Sequence, residues 1–287
     1  MPTDNISVYE RISNEYYSLT ASEKKVADYV LSNQQGTQFL SISELAEACE
    51  VAEATVSRFC RRLGYRGYNL FKLAVANASS QRKPWNNPLS GEVEEGDSLE
   101  AISKKILSAE IEALNQTQEL LDLNAVQRAA DLLEGAIRVL CMGQGGSMII
   151  AKEACHLFST VSNKFIAIED SHLQAMAAAT ADPEDVILFF SYSGSTKAMM
   201  NTMRLASAAN VQIMLVTRFP NSPGADFADV VLQCGSNENP LQFGSIPPRI
   251  AQLYLVDVLF SELNRRNIGQ CRSFRAKIAD ALADEHL

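Results

Sequence analysis

Hydroxyl-bearing side chains cluster in the short stretch from Ser191 to Thr196, which reads Ser-Tyr-Ser-Gly-Ser-Thr. Hydroxyls and the free backbone N–H groups at the start of a helix bind anions, and the positive end of the helix dipole adds to the attraction. Gly194 would let the backbone approach a phosphate closely. A simpler interpretation is that Ser195 or Thr196 only caps the following helix. The density of hydroxyls, including those of Ser191 and Ser193, favours a phosphate site.

A second small-residue turn, Gly143-Gln-Gly-Gly-Ser147, adds Gly145 and Ser147 as candidate phosphate ligands. This turn lacks the full Gly-x-Gly-x-x-Gly spacing, and Glu169 and Asp170 only come near the position of a ribose-binding acid, so a nucleotide is the less favoured alternative. His172 opens a later helix, where a helix cap and an effector contact are equally compatible with the sequence.

Alternating strands and helices must position these turns. The apolar run Val186–Phe190 predicts a strand buried on both faces, directly before the serine-rich turn. Alternation of this kind predicts a doubly wound parallel sheet in an α/β fold, with ligands beyond the carboxyl ends of the strands. The other predicted strands are 137–142, 164–168, 211–217 and 230–233, and the predicted helices are 99–134, 148–160, 172–180, 196–209 and 248–265.

The charge is distributed unevenly along the chain. The net charge is −9, yet residues 1–83 hold ten basic and nine acidic residues, a net of +1, whereas residues 84–287 hold fifteen and twenty-five, a net of −10. Residues 54–83 contain seven basic residues and no acidic one. A local basic patch on an acidic protein is typical of a surface that binds a polyanion.

The basic patch includes a predicted helix over 53–63, which we expect Gly64 to end as the residue just beyond its C-terminus. Two capping boxes, Thr20–Glu23 and Ser41–Glu44, predict helix starts before it, and a tight turn at 50–52 joins it to the second of these helices. This arrangement indicates an all-α helix-turn-helix domain, although an amphipathic helix with a solvated basic face is the alternative. The predicted DNA-binding residues are Thr55 and Ser57, which flank the outer face, Arg58 and Arg61, which would read bases, and Arg62 and Lys72, which would hold phosphates.

Three segments of this region closely resemble RpiR-type bacterial transcription regulators. They are 19–30, 41–46 and Val51-Ala-Glu-Ala-Thr-Val-Ser-Arg-Phe-Cys-Arg-Arg-Leu-Gly64. In that family the Ala-Thr-Val-x-Arg-Phe-Cys segment is the recognition helix. The resemblance therefore implies binding to double-stranded DNA at an inverted-repeat operator.

The second half resembles the sugar isomerase (SIS) domain, a flavodoxin-like module that binds sugar phosphates. Ser191–Thr196 is similar to its Ser-x-Ser-Gly-x-Thr phosphate loop, Gly143–Ser147 to its first loop, and Asp170-Ser-His172 to a later landmark. The resemblance implies a sugar phosphate effector and a homodimer or homotetramer. Many catalytic SIS domains carry Glu in the phosphate loop where this chain has Ser195.

We therefore expect a DNA-binding regulator with a helix-turn-helix domain at 1–80, a linker at 81–98 and a SIS domain at 99–287. The alternative is a phosphosugar isomerase or lyase, with Glu153, Glu169, His156 and His172 as candidate bases. Three histidines and six cysteines without a Cys-x-x-Cys pair make a metal site improbable, and we expect no cofactor. Without a long apolar run we expect a cytoplasmic protein with reduced thiols and no membrane span.

Overall fold

A computed structural model describes residues 6–34, 36–81, 93, 96–235 and 246–283. Among these, the residues up to Ala109 form one compact unit and those from Glu110 onward form another. Most of the predicted linker lies outside the described residues, and the domain boundaries at 80 and 98 stay predictions. Within the described chain, no helix is long and apolar enough to cross a membrane.

The N-terminal unit is helical. Before residue 82 the described chain forms α1 Val8–Glu15, α2 Ala21–Ser32, α3 Ile42–Ala48, α4 Glu53–Arg62 and α5 Tyr68–Gln81. Both predicted capping boxes are confirmed at the starts of α2 and α3. All five helices contribute to one apolar core, in which Ile12, Val26, Leu45, Phe59 and Phe71 are fully buried.

The C-terminal unit is an α/β fold, as predicted. Its strands are β1 Val139–Gly143, β2 Phe165–Ile168, β3 Val186–Phe190, β4 Gln212–Thr217 and β5 Val230–Gln233. They form a parallel sheet in the order β2-β1-β3-β4-β5. The accompanying helices are α6 Leu99–Glu119, which spans the division between the units, α7 Leu123–Gly135, α8 Gly146–Ser159, α9 Ser171–Ala179, α10 Lys197–Ala208, α11 Pro247–Arg266 and α12 Ile268–Leu282.

Strand β3 shows why the sheet is covered on both faces. Val186, Leu188 and Phe190 point into a core shared with α7, α8 and α11, whereas Ile187 and Phe189 point into a core shared with α9 and α10. A strand buried on both faces has no polar alternation, which explains the continuous apolar run in its sequence.

Three helices were absent from the sequence prediction, namely α1, α5 and α12, and the helix predicted over 99–134 is two helices. The break falls at Asp122, whose carboxylate accepts the N–H of Asn124 at 2.8 Å and caps α7. A local cap therefore interrupts an apolar pattern that periodicity alone would continue.

Candidate functional site

The turn between α3 and α4 sets the position of the predicted recognition helix. Glu50 has a positive φ of 51°, and the N–H of Val51 donates to the Ala46 oxygen at 2.9 Å, which reverses the chain sharply. The Ser43 hydroxyl donates to the Glu53 carboxylate at 2.5 Å and so ties the starts of the two helices together. Helix α4 ends where Gly64 adopts φ of 84°, as the predicted C-terminal glycine should.

Helix α4 presents two chemically different faces. Val56, Phe59 and Cys60 are fully buried in the N-terminal core, while Arg58 and Arg61 are exposed on the outer side. Arginines three positions apart lie on one side of a helix, so both guanidinium groups project from the same surface. Ser57 is half-buried beside them. The exposed face therefore offers two forked donors of the kind that reads guanine edges.

Thr55 has a different place from the one expected of a DNA contact. Its side chain is only 6% exposed, and its hydroxyl accepts a hydrogen bond from the Arg58 guanidinium at 3.0 Å. Thr55 therefore orients Arg58 from beneath. The arginine, not the threonine, is the group available at the surface.

Arg62 is exposed and also forms an ion pair with a residue of another helix. It is an exposed residue, but its guanidinium pairs with the buried carboxylate of Glu23 on α2 at 3.4 Å. Burial alone would raise the pKa of Glu23, but hydrogen bonds from Thr20 and the charges of Arg62 and Arg58 outweigh it and lower that pKa below 4.5. Lys72, on α5, is half-buried.

The serine-rich turn follows β3 directly. Ser191 is buried, and its hydroxyl accepts the N–H of Gly194 at 3.2 Å, while the Ser193 hydroxyl accepts the N–H of Ser195 at 3.4 Å. Thr196 is exposed and occupies the N-cap position of α10, but its side chain makes no capping hydrogen bond. The simple capping interpretation therefore does not apply. The Thr196 hydroxyl and the start of α10 are available to a ligand.

Gly194 is required for a reason that the sequence did not show. Its φ is 58°, and a Cβ atom at this position would lie 2.0 Å from the Ser222 hydroxyl and 3.2 Å from that of Thr217. The Gly224 N–H also donates to the Gly194 oxygen at 2.8 Å. Gly194 is thus buried beneath the segment that follows β4. It shapes the turn, and the close approach of its backbone to a phosphate stays a prediction.

The first glycine turn begins beside the serine-rich turn, because Gly143 on β1 is the register partner of Phe190 on β3. A Cβ atom on Gly143 would lie 2.7 Å from the Ser147 backbone. Gly145 has φ of 55° and forms the N-cap of α8 with no side-chain cap, and Ser147 is half-buried in the first turn. The amino ends of α8 and α10 therefore both begin at this edge of the sheet.

Two residues that sequence reasoning did not select contribute to this edge. The buried Gln174 amide donates to the oxygens of Gly143 at 2.9 Å and Ile168 at 2.8 Å, which joins the ends of β1 and β2. The Arg249 guanidinium, on α11, lies 3.8 Å from the position of a Cβ on Gly146 and brings a cation to the first turn. A glutamine or arginine within a helical pattern gave no sequence signal for either contact.

His172 lies at the start of α9, which follows β2. The backbone N–H of His172 donates to the Asp170 carboxylate at 2.9 Å, which makes Asp170 the cap of α9. The His172 side chain is exposed. The sequence left two roles open for His172, a helix cap or an effector contact, and the cap is made by Asp170 instead. The described residues include no group of three or more His, Cys, Asp or Glu that could hold a metal ion.

Family models match both regions of the chain. A helix-turn-helix domain of the rpiR family matches residues 6–82, and a SIS domain matches residues 132–262. Together they define a transcriptional regulator that combines a DNA-binding helix-turn-helix with a SIS domain.

Individual regulators are similar to this chain over nearly their whole length. An uncharacterised HTH-type transcriptional regulator from Caldanaerobacter subterraneus is 34% identical, with 90% of this chain and 89% of that protein covered. The HTH-type transcriptional regulator HexR of Escherichia coli is 28% identical, with 97% and 95% covered. The structure of Vibrio vulnificus NanR complexed with ManNAc-6P superposes with a TM-score of 0.64 at 27% identity, covering 98% and 99%. The chain belongs to the RpiR family of transcriptional regulators.

Proposed function

We propose that this regulator binds an inverted-repeat operator through α4 and that a sugar phosphate, held at the ends of β1 and β3, modulates that binding. The observation that carries the effector site is the register of Gly143 with Phe190, which starts the two turns side by side. In the order β2-β1-β3-β4-β5 this is the point where successive connections leave in opposite directions, which is the usual ligand crevice of such sheets.

The chemistry of the crevice favours a phosphate. Two helix amino ends, the exposed Thr196 hydroxyl and the half-buried Ser147, Ser193 and Ser195 supply donors, and Arg249 supplies positive charge near Gly146. Three buried polar atoms nearby have no hydrogen-bond partner among the described residues: Gln144 Nε2, Gln174 Oε1 and Ser222 Oγ. Buried polar groups normally have partners, so we infer that a polar ligand or ordered water satisfies them. NanR, similar along nearly its whole length, was solved in complex with ManNAc-6P, a sugar phosphate.

On the DNA side, we propose that Arg58 and Arg61 read bases and that Arg62 and Lys72 contact phosphates, with Ser57 at the helix–groove boundary. Thr55 acts indirectly by holding Arg58. A two-fold symmetric operator requires a homodimer or homotetramer, because each recognition helix reads one half-site.

The test is a titration of an operator duplex, selected from a random pool, with and without a phosphosugar found by a thermal-shift screen of hexose and pentose phosphates. Charge-assisted hydrogen bonds contribute roughly 1.5–3 kcal/mol, so Ser193→Ala should weaken the effector's action about ten- to a hundredfold. Ser207→Ala, which alters an exposed serine in the last turn of α10, is the matched control and should have no effect. A full effector response of Ser193→Ala at the wild-type concentration would contradict the proposed site.

We further propose that the sugar phosphate is bound without conversion. Ser195 stands where many catalytic SIS domains carry a carboxylate, Glu153 and His156 are exposed on α8, and Glu169 pairs with Lys152 at 2.7 Å. A poised general base is normally desolvated and within reach of the substrate, and none of these carboxylates is buried at the turns. NMR of hexose and pentose phosphates incubated with the protein should show no product. Turnover lost in Glu153→Gln or His172→Ala would establish the isomerase alternative.

A further inference from the structure

Helix α6 carries an apolar stripe along its exposed side. Leu99 is 82% exposed, Leu107 is 57% exposed, and Ile106 and Ile111 are 48% exposed each. The half-buried Leu114 continues the stripe along the same side of the helix. A surface helix normally turns its apolar side toward a core, and contiguous exposed apolar patches mark interaction sites. The stripe therefore fits a surface that another element covers.

The last turns of α6 are held by the C-terminal unit. The buried residues of α6 are Ala113 and Thr117. The Thr117 hydroxyl donates to the Ala113 oxygen at 2.6 Å and accepts the N–H of Gly235 at 2.9 Å. The chain's own packing thus covers this end of the helix, while the stripe from Leu99 to Ile111 stays exposed.

The stripe is self-complementary about a midpoint between Ile106 and Leu107. Residues at equal distances on either side of this midpoint form matching pairs: Ile106 with Leu107, Ser103 with Glu110, and Leu99 with Leu114. At about 100° per residue, these six side chains lie within an arc of about 100° on the helix. Two antiparallel copies of α6 would therefore oppose apolar with apolar groups, and a hydroxyl with a carboxylate.

We propose that this stripe is a contact between two copies of the chain, in which α6 packs antiparallel on α6 of a second copy. Ile106 packs on the partner's Leu107, Leu99 packs on the partner's Leu114, and the Ser103 hydroxyl donates to the partner's Glu110 carboxylate. A contact of this kind uses the same surface on both copies, so it closes at two chains and does not grow into a filament.

The polar positions favour a second copy over an unrelated helix. Any apolar helix could cover leucine and isoleucine, but a carboxylate in such a seam costs free energy unless it meets a donor. The symmetric pairing gives each Glu110 a hydroxyl from Ser103. Lys104, next to Ser103, adds a positive charge close to the same point. Polar groups placed in an apolar helix seam fix the alignment and number of the helices.

The contact would supply the homodimer that recognition of a two-fold symmetric operator requires. Its importance for DNA binding rests on the proposed function. The contact itself requires neither DNA nor an effector, because both of its surfaces lie on α6.

The first test places cysteines in the proposed register. Mild oxidation of full-length Ser103→Cys/Glu110→Cys should join two chains, with position 103 of one copy linked to position 110 of the other. A non-reducing gel would show the doubled mass, and mass spectrometry of the peptides would map the link. Within one chain the two positions are about 10.5 Å apart, too far for a disulfide.

The matched control for this cross-link is Glu112→Cys/Glu119→Cys, which has the same spacing on the opposite side of α6, at two exposed positions. This control and each single variant should cross-link no more than wild type. No cross-link between positions 103 and 110, or equal cross-linking of the control, would overturn the proposed contact.

The second test interrupts the stripe. Leu107→Glu would place two carboxylates beside the two-fold axis, so self-association of the full-length protein should weaken about tenfold or more. Sedimentation equilibrium would measure the dissociation constant. Leu123→Glu, which changes a leucine 65% exposed at the start of α7, is the control and should self-associate like wild type. A monomeric wild type, or wild-type self-association of Leu107→Glu, would contradict the proposal.

Operator titrations with the same variant separate this contact from the proposed function. If Leu107→Glu binds a full operator as weakly as a single half-site, the contact and the two-fold DNA recognition are both supported. If the cross-link forms but Leu107→Glu binds the operator like wild type, the contact stands and the two-fold recognition is wrong. If no cross-link forms while wild type binds an inverted repeat, the α6 contact is wrong and the proposed function stands.

Discussion

Helix α4 and the turns after β1 and β3 present polar groups in different ways. In α4 the proposed DNA contacts are side chains, Arg58 and Arg61, on the outer face of a helix whose inner face is buried. At the strand ends the proposed ligand contacts are backbone N–H groups and short hydroxyls, in turns held by buried glycine and glutamine. An exposed side chain can therefore be changed without damage to the fold, whereas the strand-end turns are inseparable from the fold that shapes them.

The largest expected effect comes from Gly194→Ala. A methyl group there would meet the Ser222 hydroxyl in a left-handed backbone conformation, so strain and overpacking together should destabilise the C-terminal unit by about 2–4 kcal/mol. Urea unfolding followed by circular dichroism would measure this. Gly135→Ala, in open space at the end of α7, is the control and should change stability by no more than about 0.5 kcal/mol. Equal stability of the two variants would contradict the conclusion that the strand-end turns are inseparable from the fold.

Arg58→Ala should leave stability almost unchanged and cost about 1–3 kcal/mol of binding to the selected operator, with relaxed sequence preference. Thr55→Val keeps the buried shape but removes the acceptor of the Arg58 guanidinium, so a smaller loss of about 0.5–1.5 kcal/mol is expected. Fluorescence anisotropy on operator and on random duplexes would measure both. A loss for Arg58→Ala that is the same on both duplexes would exclude a base-reading role.

Lys72→Ala should weaken binding to every duplex to a similar degree. Because the lysine is proposed to neutralise one phosphate, the slope of log affinity against log salt should become shallower by about one. Titrations across several salt concentrations provide the measurement. An unchanged salt slope would place Lys72 outside the DNA interface.

The smallest effect concerns pH. The pKa of Glu23 is lowered below 4.5 in the folded protein, so the carboxylate contributes stability above that value, and this contribution is lost as pH falls through the folded-state pKa. The N-terminal unit should therefore become less stable in this acidic window, and Glu23→Gln should flatten the dependence. Thermal unfolding between about pH 3 and pH 7 would show it. Should the two proteins have parallel profiles, the Glu23–Arg62 pair does not stabilise the unit.

Local signals in the sequence were sufficient for much of this structure. The β3 and β5 bounds, both capping boxes and the glycine that ends α4 were predicted correctly, since each depends on residues adjacent in the chain. Helices α1, α5 and α12 were missed. Their helical periodicity went unrecognised, and the contacts that bury α1 and α5 in the N-terminal core are tertiary.

The candidate sites likewise combine features that local sequence predicts with contacts that exist only in the folded protein. The serine-rich turn and the arginines of α4 could be selected from residue type and spacing. The contacts of Gly194 with Ser222, of Gln174 with Gly143 and of Arg249 with Gly146 could not, because the partners are far apart in sequence and meet only in the folded sheet. Thr55 shows a second limit of prediction from sequence. Its burial depends on the packing of its neighbours and not on helical spacing alone.

The uncapped start of α10 has a consequence for how such regulators diversify. Backbone N–H groups belong to every residue except proline, so substitutions around Thr196 leave most of these donors in place. Under the proposed function, a lineage could exchange the side chains that contact the sugar while anion recognition stays intact. Relatives with the same turn would then respond to different sugar phosphates.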